Sequence, residues 1–469
     1  MNKNIVNIAP INLSNYYLTC KSIAEFSDNK IVKFDTFNPC ISLFINSSLE
    51  KYCLDVKYPL DRQISEDEGL INKKIKPIYT KKISFIGEDF DKLHLFYDKP
   101  DFGQHNYDKH MMLYDVNSGA NIEVFISYLV SRLNELKLCP SYNYFYFSTF
   151  CTVKRYTYDI SSESLSIPTM KLISKMVKQG ISEYDIVDYE DGINEDGLNE
   201  DGLNEDGITE SSESMNSSST EDKPWYYIED NIKLTMYNHP VIFLITEKND
   251  RRFIKAIIND EIDLVTSVIF QVFAASIISY RTFGIKNNDL HTDNIMLKKT
   301  KKTHIFYKLA DKYYVVPTYG YIAKIIDWGR GTYFYEGIRG YNTIYNSELY
   351  EDFYNYSGIK NKKVVRLPDS EECKHSDIAI FCHSIINDLY LNDKFTGDKI
   401  SDSYSTIYNF TKQFCIGTNI KEYNWNTYEA IMKKSHNYEL SSLFNDKFFN
   451  EYLYGKKKPK TSGHIYAIY

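Results

Sequence analysis

The chain has 469 residues, 43% hydrophobic and 15% aromatic, enough for two lobes or two to three domains with a real core. Its net charge of −8 is concentrated in residues 181–222, which hold 15 acidic and no basic side chains; the remainder carries +7, a mildly basic balance that suits a phosphate ligand without indicating nucleic acid. Eight Cys with no CxxC pair, a start without a basic-then-apolar leader, and a longest apolar stretch (Leu264–Tyr280) broken by polar residues exclude a zinc site, a disulfide framework and a bilayer span, and predict a soluble protein of a reducing, cytoplasm-like compartment with no membrane partner.

Residues 1–75 alternate short apolar runs with polar breaks, such as Cys40–Ile45 and Tyr52–Val56, and read as short strands or an irregular extension. Two strand-like runs follow, Lys82–Ile86 and Leu93–Tyr97. Apolar residues at 122, 125, 126, 129, 130, 133 and 136 have helical spacing, so Asn121–Leu138 is an amphipathic helix that Pro140 ends. Tyr142–Arg155 is aromatic and β-branched, hence a strand. Within 181–222, Asn-Glu-Asp-Gly-Leu/Ile repeats at 194–198, 199–203 and 204–208 before a Ser-rich run; so few apolar groups cannot offset ordering entropy, and the segment reads as a disordered insertion. Pro240–Thr246 is a strand, and Leu264–Tyr280, apolar at i, i+4 positions, a buried helix. Ile295–Lys298, Ile305–Leu309, Tyr313–Val316 and Tyr321–Ile326 are short strands in hairpins. Residues from Gly331 to about 372 are polar and irregular, Ile378–Leu389 is a helix, and 400–455 holds further helical segments. Lys456-Lys457-Lys458-Pro459-Lys460 reads as a solvated basic tail, with a phosphate- or nucleic-acid-touching patch as the alternative.

Two segments carry chemistry. Asp289 and Asn294 lie in Asp289-Leu290-His291-Thr292-Asp293-Asn294, on a loop between the buried helix and a strand. Asp327 ends the strand Ala323–Ile326, with Gly329 letting the backbone turn at once. An Asp in the first segment can take a hydroxyl proton, while the Asn294 amide oxygen and the Asp327 carboxylate are hard donors suited to Mg²⁺. That is the minimum equipment for moving a phosphoryl group from ATP.

These segments resemble the protein-kinase-like superfamily: Asp289-Leu290-His291-Thr292-Asp293-Asn294 is similar to D-L-K-P-x-N, and Asp327-Trp328-Gly329 to D-F-G. Asp-Leu-His-Thr-x-Asn-Ile-Met followed by a hairpin and Ile-Ile-Asp-Trp-Gly-Arg is similar to the serine/threonine-kinase-like proteins of giant DNA viruses, over about 80–440 and most closely over 240–335. The resemblance implies an α+β, two-lobed fold with a small mixed N-lobe and a larger, mostly helical C-lobe. The division would be 1–75 as an extension or the start of the N-lobe, 76–246 as the N-lobe with its insertion, 247–455 as the C-lobe and 456–469 as the tail. It implies catalytic Asp289, metal ligands Asn294 and Asp327, and ATP and Mg as cofactors. Glu123 would pair with the phosphate-binding Lys, for which Lys99 fits best ahead of Lys92 and Lys57. Ile245–Lys248, with Glu247, would form the adenine-facing hinge, His291 would stand at the catalytic-loop Lys and touch phosphate, and Asp377 would brace the loop.

No G-x-G-x-x-G occurs in 1–122, Asn287 replaces the usual His, and no A-P-E follows Asp327. The resulting expectation is an ATP- and Mg-dependent phosphotransferase of serine/threonine-protein-kinase type, with ATP and a protein as partners and no clear nucleic-acid binding. Two readings stay open beside it: an inactive pseudokinase serving as a nucleotide-binding or scaffolding module, and a small-molecule kinase of the aminoglycoside- or choline-kinase kind.

Overall fold

The computed structural model describes residues 6–27, 31–35, 52–85, 113, 115–160, 164–180, 182–186, 208–210, 225–228, 232–335, 337–341, 359–360, 363–364, 376–396, 399–415 and 443–468. They form a mixed α+β fold. Helix α1 (Leu13–Glu25) starts where the Asn12 side chain accepts the Asn15 N–H, a side-chain cap for an otherwise orphaned donor. Strands β1 (Ile31–Asp35), β2 (Leu60–Gln63), β3 (Glu68–Ile71) and β4 (Lys74–Ser84) follow, then helix α2 (Gly119–Glu135), β5 (Phe145–Asp159), β6 (Ser182–Ile186) and β7 (Ile232–Glu247). These strands make one antiparallel sheet in the order β1-β5-β7-β4-β3-β2, with β6 on the far half of β7.

Side-chain alternation along β7 gives the sheet its two cores. Ile242 and Leu244 face α2 and join the large cluster that continues into the helical part, while Val241, Phe243 and Ile245 face Ile23 of α1 and Leu60, Ile71 and Ile78.

After β7 comes α3 (Ile262–Phe283), then β8 (Ile295–Lys299), β9 (His304–Leu309), β10 (Lys312–Pro317), β11 (Tyr321–Ile325), α4 (Ser376–Leu391), β12 (Leu453–Gly455) and β13 (Ile465–Ile468). Helix α3 is long and apolar enough to cross a membrane by composition, yet 83% of its 18-residue apolar window is buried within the chain itself. Asp263 in its first turn and Arg281 in its last suit the helix dipole, and Gly284 at φ +60° ends it. Buried Gln271 on α3 donates to Ser267 and accepts the Ala323 N–H at 2.8 Å, which fixes β11 along the helix. Strands β8 and β11 pair antiparallel, and β12-β10-β9-β13 form a separate four-stranded sheet.

Several expectations change here. The first 75 residues hold a helix and a hairpin rather than short strands alone. Part of the stretch expected to be disordered is paired: Ser182–Ile186 adds to β7, and Ile208–Glu210 joins Trp225–Ile228. The Lys456–Lys460 run is no tail, because it connects β12 to β13, which lies parallel to β9. The run expected at Leu93–Tyr97 falls outside the described residues. Among those residues six cysteines are free thiols.

Candidate active site

The loop from Ile285 to Asn294 owes its shape to buried polar groups that must be satisfied. Asp377, at the start of α4, accepts the Asn287 N–H at 2.7 Å and the Asn288 N–H at 2.8 Å. Two consecutive N–H groups converge on one carboxylate because Asn288 takes φ +62°, a region open to Asn at modest cost. Burial pushes Asp377 above the usual carboxylate range, against the pull of those two N–H groups and of Lys286. Two turns further along α4, Ser384 receives the Thr292 N–H at 3.0 Å. Asn287 then joins the two motifs: its Oδ1 accepts the Asp289 N–H at 3.0 Å, and its Nδ2 donates to the Asp327 carbonyl at 2.7 Å. One side-chain amide thus holds Asp289 and Asp327 side by side.

Asn294 is oriented from two directions. Its Nδ2 donates to the Asp289 carbonyl at 2.9 Å and to His291 Nε2 at 3.1 Å. A carbonyl only accepts, so the amide is fixed with Nδ2 toward Asp289, and no protein donor reaches its Oδ1 among the described residues. The Ile326 N–H bonds the Asn294 carbonyl at 3.0 Å, which sets Asp327 beside it. Asp327 has φ +57°, uncommon for a residue with a Cβ, and its carboxylate is 43% exposed. An oriented amide oxygen next to an open carboxylate is a donor pair that fits a hard divalent cation. His291 accepts at Nε2, so Nδ1 is the ring nitrogen with a proton to give; Nε2 also lies 3.8 Å from Asp289 Oδ2. Arg330 Nη1 is 3.5 Å from Asp289 Oδ1. Trp328, in place of the Phe, is buried against Tyr142 with ring centroids 5.9 Å apart.

Above this floor stands Lys81 on β4. Its Nζ is 2.6 Å from Glu123 Oε1 and 3.1 Å from Asp327 Oδ2, a cation bridging the sheet, helix α2 and the loop that bears Asp327. Burial opposes the charge on Lys81, but the two carboxylates outweigh it and hold the ammonium well above its ordinary pKa. Burial pushes Glu123 up to about 7 against the pull of Lys81. For Asp327 burial is overcome by Lys81, the Gly329 N–H and Arg330, so it lies below the usual range and is ionised.

The structure brings Asp289, His291, Asn294, Asp327 and Glu123 together. Lys99 lies outside the described residues, and Lys81 holds the place proposed for it. The strand's alternation carried the signal: Lys81 is two residues before Ile83, which faces α2. Glu247 does not offer its carboxylate or N–H to the cleft, because Lys324 binds the first at 3.2 Å and the Tyr144 carbonyl takes the second at 2.9 Å. The β2–β3 hairpin, where a phosphate-covering loop would be, contains Ile64-Ser65-Glu66-Asp67, and the Asp67 carbonyl accepts the Ile78 N–H. It ends level with Ile78, three residues and about 10 Å short of Lys81.

No family model matches the chain. It is 26% identical over 172 residues to an uncharacterised protein, 098R, of Invertebrate iridescent virus 6. The match covers 31% of this chain and 28% of that viral protein, so the chain spans under a third of its relative's length.

Proposed function

We propose that this chain is an ATP- and Mg²⁺-dependent phosphotransferase on a two-lobed protein-kinase-like fold, acting on serine or threonine hydroxyls of a protein. The observation that carries the reading is Lys81, set between Glu123 and Asp327 directly above the loop that bears Asp289 and Asn294. The sheet with α1 and α2 would be the N-lobe, and α3, α4 and the hairpins the C-lobe.

ATP supplies the transferable phosphoryl group, and Mg²⁺ the charge that neutralises it. Asp289 accepts the proton of the attacking hydroxyl at its carboxylate. The Asn294 Oδ1 and the ionised Asp327 carboxylate would hold the metal. Lys81 would hold nucleotide phosphate, kept protonated and aimed by buried Glu123. Asn287 and Asp377 position the loop without touching substrate.

A second reading, a nucleotide-binding pseudokinase, draws on the β2–β3 hairpin that stops short of Lys81. Incubating the protein with γ-labelled ATP, Mg²⁺ and a basic acceptor protein separates the two. Transfer that falls roughly 100- to 10,000-fold in Asp289→Asn and in Asp327→Asn is the expected result. ATP-dependent thermal stabilisation without any transfer would favour the pseudokinase, and neither effect would end both readings.

A further inference from the structure

We propose that the outer face of the β12-β10-β9-β13 sheet, with the strap that crosses it, binds single-stranded nucleic acid. This surface is separate from the proposed phosphotransfer cleft and does not depend on that reading.

Residues 298–320 and 453–468 contain ten lysines and a single carboxylate, Asp311, in a chain whose net charge is −8. Asp311 is taken by Lys456 at 2.8 Å. Lys298 turns toward Asp250 and the Lys248 carbonyl. Lys312 donates to the neutral Asn445 amide oxygen at 2.8 Å, and its charge helps hold the Asp311 carboxyl down. Among the described residues no carboxylate pairs with Lys299, Lys301, Lys302, Lys308, Lys457, Lys458 or Lys460. Lys302 is lowered by burial first and then by the neighbouring charges of Lys324 and Lys137, as expected in a positive field. Uncompensated like charge costs stability unless an anion is meant to arrive.

Strand parity places rings among these charges. On β9 the inward side is Ile305, Tyr307 and Leu309, which leaves His304, Phe306 and Lys308 outward; on β10, Tyr313 and Val315 are outward. Register pairs Lys308 with Tyr313 and Phe306 with Val315, and the Lys308 ammonium lies 5.8 Å from the Tyr313 ring centre. Tyr454 on β12 is 54% exposed. The strap 456–464 is held down by buried Pro459 and by Gly463, where a Cβ would come within 3.0 Å of the Phe306 ring. Its lysines are therefore fixed over the sheet rather than trailing from it. Lysines for the backbone with rings for the bases is the combination that binds single strands, whereas a duplex offers no free base faces and a bilayer would want apolar groups that protrude.

The test is fluorescence anisotropy of the full chain with a labelled uridine or thymidine strand of about 20 nucleotides, between about 50 and 200 mM salt. Lys457→Glu/Lys458→Glu/Lys460→Glu should weaken binding at least tenfold and reduce the salt slope by roughly 2, for three lost phosphate contacts at about 0.7 each. Tyr454→Ala should weaken it about fivefold or more through lost stacking. Lys21→Glu on α1, exposed and remote in the fold, should change neither. Melting curves check that the triple variant folds, and Lys→Gln at the same three positions repeats the slope measurement without reversed charge. No binding at about 50 mM salt, or an unchanged slope in both triple variants, overturns the proposal. Duplex bound as tightly with no effect of Tyr454→Ala, or phosphatidylserine vesicles bound in place of the oligonucleotide, overturns it too.

Discussion

At the floor of the cleft, the Asn287, Asn288 and Asn294 side-chain amides donate to loop carbonyls and Asp377 accepts two loop N–H groups; above Lys81, the β2–β3 hairpin ends level with Ile78 and carries an acidic turn. The floor is over-determined. Two residues with positive φ, Asn288 and Asp327, persist because neighbouring bonds leave the backbone no alternative. The roof is held mainly through its backbone: buried Gln63 donates to the Ser65 and Glu66 carbonyls, the Ile64 and Ser65 N–H groups bond the Glu68 carbonyl, and the acidic side chain of Asp67 is left in an exposed pair with Lys248. The floor thus fixes side chains through buried hydrogen bonds, whereas the roof fixes its backbone and leaves its acidic side chain in solvent.

The sharpest way to break this contrast is at Lys81, where floor and roof meet. Lys81→Met should abolish detectable phosphotransfer and cost about 3 kcal/mol, because it leaves the Glu123 carboxylate buried without its cation. Adding Glu123→Leu should restore the melting temperature but not the activity. If the double variant stays as unstable as the single one, the pair is not what holds α2 to β4.

Next comes the brace. Asp377→Ala strands two buried N–H groups and should destabilise by about 3 kcal/mol while lowering kcat more than it raises KM. Urea unfolding and steady-state kinetics on the same preparation would test both parts; a change in KM alone would mean that the loop keeps its shape without Asp377.

A smaller effect is expected from Asp388 on α4. Its burial pushes the carboxyl up to about 7, with Asp293 adding repulsion and the Thr292 hydroxyl opposing. The folded chain then holds this proton more tightly than the unfolded chain does. The stability it lends is complete below the ordinary value of 3.8 and is lost as pH rises toward about 7. Asp388→Asn should therefore gain on the parent as pH goes from about 4 to about 8, by an amount on the order of 2–4 kcal/mol. Parallel pH profiles of the two proteins would refute it.

The smallest effect belongs to the roof. Asp67→Ala removes an exposed pair and should change stability by less than about 0.5 kcal/mol and KM for ATP by less than about threefold. A large rise in KM would show that the short hairpin reaches the nucleotide, and the contrast would need redrawing.

Legibility followed the same division. The proximity of Asp289, Asn294 and Asp327 could be read from the chain because their segments flank short strands with a hairpin between, and the β8–β11 register brings Asn294 beside Ile326. Lys81 could not be chosen from the sequence by proximity to Glu123, which favoured Lys99; strand parity with Ile83 was the better guide. Glu247 looked available because nothing local announces Lys324, which approaches from β11. Helix α1 was missed because its apolar residues are too few to outvote a strand-like reading without the sheet it covers. The strand Ile465–Ile468 has only four residues, and its partner is set by tertiary contact.

That last pairing has a consequence for the order of events. Phe306 and Leu309 sit between the segments that bear Asp289 and Asp327, yet their parallel partners Ile465 and Ile468 are made long after both. Such a non-local contact is slow to form, and on the ribosome it waits for the far end of the chain to emerge. Asp289 and Asp327 are brought together by the nearer pairing of β8 with β11, so the four-stranded sheet closes after the strands that set these two residues side by side.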